Sequence, residues 1–173
     1  GEATEVSVGG TSLACKRNDA SATSGGSVQS SGSGAGIAVS SGAALPSDGA
    51  ESTDVCVGSS TGNAYAGADP NSTVGSPLIS IEARSSSGSQ LAVSNTPMRI
   101  TLPVTGGADG DGALNATSDV ECSYFNTTTK AFDTTGCVEV SRTPGGLVCE
   151  CDHLTDFAIR VNPPAIGNFE DIK

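Results

Sequence analysis

Residues 122–159, CSYFNTTTKAFDTTGCVEVSRTPGGLVCECDHLTDFAI, carry four of the six cysteines and the only histidine of the chain. Cys149, Cys151, His153 and Thr155 fall on alternate positions, the period at which side chains of an extended strand project to one face. Thr155 to Val161 alternates in the same way, and Asn162-Pro163-Pro164 stops it, because proline cannot donate to a ladder. At His153, Leu154 and Thr155 a base, a peptide bond and a hydroxyl stand in a row. The stretch reads as β-structure arranged around a site for chemistry.

Composition sets the frame for that stretch. The 173 residues are 36% apolar but only 3% aromatic, with no Trp, so one domain is expected, with a thin core of Val, Ile, Leu and Ala. Such a core needs staples. Six cysteines can supply three disulfides, each worth about 2–4 kcal/mol against a total stability of roughly 5–15 kcal/mol. Sequons at Asn71, Asn115 and Asn126 point to the same oxidising, glycosylating secretory compartment. A net charge of -11 argues against nucleic acid and anionic membrane surfaces as partners. No apolar run is long enough to span a bilayer, and GEATEVSVGG lacks a signal region; a piece of a larger, membrane-anchored protein is expected.

Residues 1–76 are rich in Ser, Gly, Ala and Thr, broken by short apolar patches at Val6 with Val8, Ile37 to Val39 and Val55 to Val57, each a candidate strand. They read as an N-terminal part of the sandwich with long loops, in which a Cys15–Cys56 bridge would close a loop that is otherwise loose. The glycine cluster SGSGAGIAV (31–39) lacks the Lys and spacing of a phosphate loop. From residue 77 to 161 the texture is that of strands. Met98, Ile100, Leu102 and Val104 alternate strictly with Arg99, Thr101 and Pro103, and Gly/Ser clusters between the apolar runs from Leu78 to Val104 imply an antiparallel meander. Asp109 and Asp111 lie in a Gly-rich loop whose register does not match a calcium loop. Helical periodicity is absent. Residues 162–173 read as a C-terminal linker, and the whole as an all-β, disulfide-stapled antiparallel β-sandwich.

Three chemistries compete for Cys137, Cys149, Cys151, His153 and Thr155. Zinc has suitable ligand types but lacks the usual Cys-x-x-Cys spacing, and no metal or cofactor is expected. A disulfide-bonded strand with an incidental histidine is the plain structural alternative. Autoproteolysis needs a Thr hydroxyl made competent by a base, next to a peptide held close to the geometry of attack. His153 lies two residues before Thr155, and the attacked carbonyl would be that of Leu154. Distortion in a tight turn would supply on the order of 1–3 kcal/mol per residue.

The stretch 122–159 resembles the GPCR proteolysis site, the GPS motif that closes the GAIN domain of adhesion receptors and polycystin-like proteins. The resemblance rests on four cysteines ending in C-x-C, Phe125 three residues after the first, Gly136 before the second, and His-Leu-Thr followed by Phe157-Ala158. It implies a GPS motif over 122–161, cleavage between Leu154 and Thr155 with His153 as general base and Thr155 as nucleophile, and bridges Cys122–Cys149 and Cys137–Cys151. Phe125 and Phe132 stand where that family usually has Trp. The resemblance further implies an extracellular module of an adhesion, receptor or channel-associated protein whose first partner is its own cleaved C-terminal strand. A non-cleaving adhesion module is the second expectation. With a single histidine, a multi-turnover hydrolase is not expected.

Overall fold

The computed structural model describes residues 3–19, 27–31, 33–39, 52–104 and 119–162. The Asn115 sequon, Asp109, Asp111 and the linker beyond Asn162 lie outside the described residues. Among those described there are strands and turns and no helix. In order they are β1 (Thr4–Val8), β2 (Thr11–Asp19), β3 (Ser27–Gln29), β4 (Gly36–Val39), β5 (Ser52–Ser60), β6 (Thr73–Val74), β7 (Leu78–Ser85), β8 (Gln90–Leu91), β9 (Ser94–Pro103), β10 (Val120–Asn126), β11 (Ala131–Asp133), β12 (Cys137–Thr143), β13 (Gly146–His153) and β14 (Asp156–Val161). They form two antiparallel sheets. The larger runs β1-β2-β5-β7-β14-β10-β11, with β6 on β14 and β8 on β7, and the smaller runs β12-β13-β9-β4-β3.

The core lies between the sheets because alternation turns one face of each strand inward. Val55, Val57, Ile79, Ile81, Phe157 and Ile159 of the larger sheet and Ile37, Met98, Ile100, Leu102 and Leu147 of the smaller are all buried in one cluster. Strand β5 alternates without a break, with Thr53, Val55, Val57 and Ser59 inward. It extends beyond its apolar pair because a hydroxyl can occupy an interior position when it is hydrogen-bonded. The Ser12 hydroxyl lies 2.8 Å from that of Ser59 and 3.0 Å from that of Ser30. Strand β2 has no hydropathic signature for a related reason: it turns Ser12 and Ala14 inward and leaves Leu13 48% exposed.

The expected meander from Leu78 to Val104 is corrected. Strand β7 belongs to the larger sheet and β9 to the smaller, and only the two-residue β8 folds back on β7. Two strongly apolar neighbours bury more surface by facing each other across the core than by lying side by side in one sheet.

Three disulfides tie the frame. Cys15–Cys56 joins register partners on β2 and β5, and Cys137–Cys151 joins register partners on β12 and β13. Cys122–Cys149 runs from β10 to β13 and so links the two sheets. A second, smaller cluster of Leu78, Phe125, Phe132 and Ala158 receives Tyr65 and Val74. Phe125 and Phe132 meet edge to face at 5.5 Å, and Tyr65 stacks on Phe125 at 3.6 Å, so a third ring completes the aromatic cluster.

The crossing between sheets at Leu154 and Thr155

Strand β13 ends at His153 in the smaller sheet and β14 starts at Asp156 in the larger, so Leu154 and Thr155 are the whole link from β13 to β14 and carry the chain from one sheet to the other. Both sides are anchored. Upstream, the Asp152 N–H donates to the Gly136 carbonyl at 3.1 Å; downstream, the Ile81 N–H donates to the Thr155 carbonyl at 3.1 Å. The Leu154 side chain packs on the main core, where it lines a groove with Leu91 and Val93. A cleft of about 400 Å³ opens beside it, lined by Tyr124, Asn126, Gly136, Asp152, His153, Leu154 and Thr155 among others.

His153 sits at an irregularity in the β13–β9 pairing, where Cys151 faces Met98 but His153 faces Ser94. Its ring meets Tyr124 edge to face at 4.3 Å and Phe157 at 5.9 Å. Nδ1 lies 2.8 Å from the Asp152 carboxylate. Nε2 is buried and is the one buried side-chain nitrogen or oxygen without a partner among the described residues. An orphaned polar atom of this kind costs about 1–3 kcal/mol. No hydrogen bond among the described residues engages the Thr155 hydroxyl or the Leu154 carbonyl.

The expected distortion at this turn does not take the form of left-handed backbone. Among the described residues Lys130 is the one non-glycine with positive φ, in the turn after β10, so neither Leu154 nor Thr155 has a positive φ. Two-residue crossings between anchored strands need no left-handed residue when both strands run extended to their ends.

Next to the crossing, Asp156 accepts hydrogen bonds from the hydroxyls of Tyr65 and Ser80. The Asp156 carboxylate, with burial adding to it, pushes the Tyr65 phenol up to about 12. Desolvation first, and the neighbouring Asp133 charge second, also raise the Tyr124 phenol. The amide and hydroxyl of Thr135 hold the Asp133 carboxyl down at about 2.

The structure thus brings His153, Leu154 and Thr155 to one cleft, and β13, which ends at His153, also carries Cys149 and Cys151 of the Cys122–Cys149 and Cys137–Cys151 bridges. Cys137 and Cys151 are bonded to each other, which removes them as thiolate ligands. Cys15–Cys56 lies on another part of the larger sheet. Of the sequons, Asn71 is exposed, whereas Asn126 is half-buried, caps its own turn by accepting from the Thr128 N–H at 3.0 Å, and borders the cleft. Asp152, Tyr124, Tyr65 and Ser80 were not legible as site residues. Asp152 had one available signal, its adjacency to the single histidine; Tyr65 lies 91 positions from its partner.

A two-sheet, disulfide-tied β-sandwich with a cysteine-framed His-Leu-Thr crossing defines the class of domain. The family described as GAIN subdomain B, or GPS, matches residues 10–164, and the chain belongs to that family. No curated protein matches the chain.

Proposed function

We propose that this GPS module cleaves itself once, in cis, between Leu154 and Thr155, and stays together as a non-covalent two-piece domain. The observation that carries the reading is His153 Nε2, buried and unpartnered among the described residues, two residues from a threonine whose hydroxyl no hydrogen bond among them engages. With the ring proton on Nδ1, such a nitrogen carries a buried lone pair that is ready to take a proton. His153 takes the proton from the Thr155 hydroxyl as that oxygen attacks the Leu154 carbonyl carbon. The Leu154–Thr155 C–N bond then breaks, the amine nitrogen takes the proton from His153, and an ester joins Leu154 to the Thr155 oxygen. Water hydrolyses the ester, leaving a Leu154 carboxylate and restoring the hydroxyl. One bond is cut per molecule, so the domain is not a multi-turnover enzyme.

The module belongs, on this reading, to the extracellular part of a membrane-anchored adhesion, receptor or polycystin-like protein. Disulfides, sequons and family support that placement. Its partners are the cleaved C-terminal strand and the membrane-spanning remainder or a channel or receptor bound to it. Asp156 and Arg160 interrupt the apolar run of β14, which disfavours a purely apolar tethered agonist.

All six cysteines precede Leu154, so no disulfide holds the piece that starts at Thr155. Intact mass under denaturing, non-reducing conditions tests the proposal directly. A fragment beginning at Thr155, absent from Thr155→Ala, is expected. A single uncut mass for both proteins overturns it in favour of a non-cleaving structural module.

A further inference from the structure

We propose, on the basis of the self-cleavage reading, that Asp152 is a positioning residue that holds His153 as the Nδ1–H tautomer and so makes Nε2 the base, and that Gly136 is glycine to seat it. A carboxylate only accepts hydrogen bonds, whereas a neutral imidazole carries one proton. With Asp152 Oδ1 2.8 Å from Nδ1, the proton belongs on Nδ1 and the lone pair on Nε2. The opposite tautomer would set the Nδ1 lone pair against the carboxylate.

Gly136 contributes in three ways. Its φ of +77° is a conformation that side chains disfavour. A Cβ there would lie 2.6 Å from Asp152 Oδ1 and 3.1 Å from Cγ, so any other residue would push the carboxylate away. Its carbonyl also takes the Asp152 N–H at 3.1 Å, fixing the backbone that carries the carboxylate. On the far side the Tyr124 ring closes on the imidazole at 4.3 Å, which limits rotation of the ring out of this arrangement. Among the described residues, Asp152 from β13 and Tyr124 from β10 are the titratable groups in contact with the ring, with Asp133 behind Tyr124 at 3.3 Å.

The test uses the only imidazole in the chain, whose nitrogen chemical shifts need no assignment against another histidine. Spectra are recorded on Thr155→Ala, which holds the chain uncut, with and without Asp152→Asn or Gly136→Ala. Nε2 is expected to resonate as an unprotonated nitrogen in Thr155→Ala, and both added substitutions are expected to shift the population towards Nε2–H. In the Thr155 protein, Asp152→Asn is expected to slow cleavage on the order of 100-fold, the scale for a misplaced reacting group. Asp152 is exposed, with half its side chain in water, so this variant keeps the fold. A protonated Nε2 in Thr155→Ala, or a tautomer ratio unmoved by Asp152→Asn, overturns the proposal. A protein that shows the tautomer and its dependence on Asp152 but never cleaves refutes the self-cleavage reading and leaves the Asp152 assignment standing.

Discussion

Cleavage after Leu154 would free the N-terminus of β14 without freeing the strand, and Phe157→Ala measures what holds it. Strand β14 lies inside the larger sheet, with five register pairs to β10 on one side and two each to β7 and β6 on the other. Phe157 is 1% exposed and Ile159 fully buried in the main core, while Ala158 is buried in the smaller cluster on the opposite face. Removing a ring from such a site costs about 3–5 kcal/mol, transfer and cavity together. On the uncut Thr155→Ala background, urea unfolding followed by fluorescence or circular dichroism should show that loss directly. In the cut domain the same loss weakens retention of the strand by roughly 100- to 4,000-fold, at about 1.4 kcal/mol per factor of ten. Immobilising the N-terminal piece and following release of the C-terminal piece by mass reads it. Val161→Ala serves as the control, since Val161 is only half-buried. If Phe157→Ala destabilises the uncut domain no more than Val161→Ala, burial of β14 is not what retains the strand, and the reasoning fails.

Three further outcomes follow from the geometry. With two tyrosines and no Trp, phenolate absorbance is clean, and one phenol should titrate near 12 and move to the ordinary range in Asp156→Asn. Because the folded value of Tyr65 is raised, its stabilising contribution is complete below about pH 10 and is lost as pH rises through about 12, which urea midpoints across that window would record. Gly146→Ala should destabilise by about 1–3 kcal/mol or more, since its Cβ would lie 2.2 Å from the Leu102 carbonyl oxygen, a backbone atom that cannot swing aside; an unchanged melting temperature would refute this. Replacing Cys122 and Cys149 together by Ser should cost about 2–4 kcal/mol, measured by urea unfolding, and should loosen the sheet-to-sheet contact more than loss of Cys15–Cys56 does.

Much of the fold was legible because it is written in local period and residue type. Met98, Ile100 and Leu102 alternate and are fully buried, and Val55 and Val57 do the same on β5. What was not legible used residues whose hydropathy says nothing about burial. The hydroxyls of Ser30 and Ser59 both meet that of Ser12 in the interior, so β2 turns a polar residue inward and gives no apolar signal. The meander reading failed because alternation places a strand's faces and is silent on which sheet the strand joins.

By itself the chain of letters determined an all-β, cysteine-stapled domain of the GPS family and put His153, Leu154 and Thr155 side by side, because period, residue chemistry and covalent adjacency are properties of short stretches. Only the tertiary structure decided that Leu154 and Thr155, the link from β13 to β14, carry the chain from one sheet to the other. It alone set Gly136 under the Asp152 carboxylate, buried Nε2 of His153, and carried Tyr65 to Asp156. Those relations join residues far apart in sequence, and they exist because packing two sheets face to face brings their strand ends together whatever the spacing along the chain.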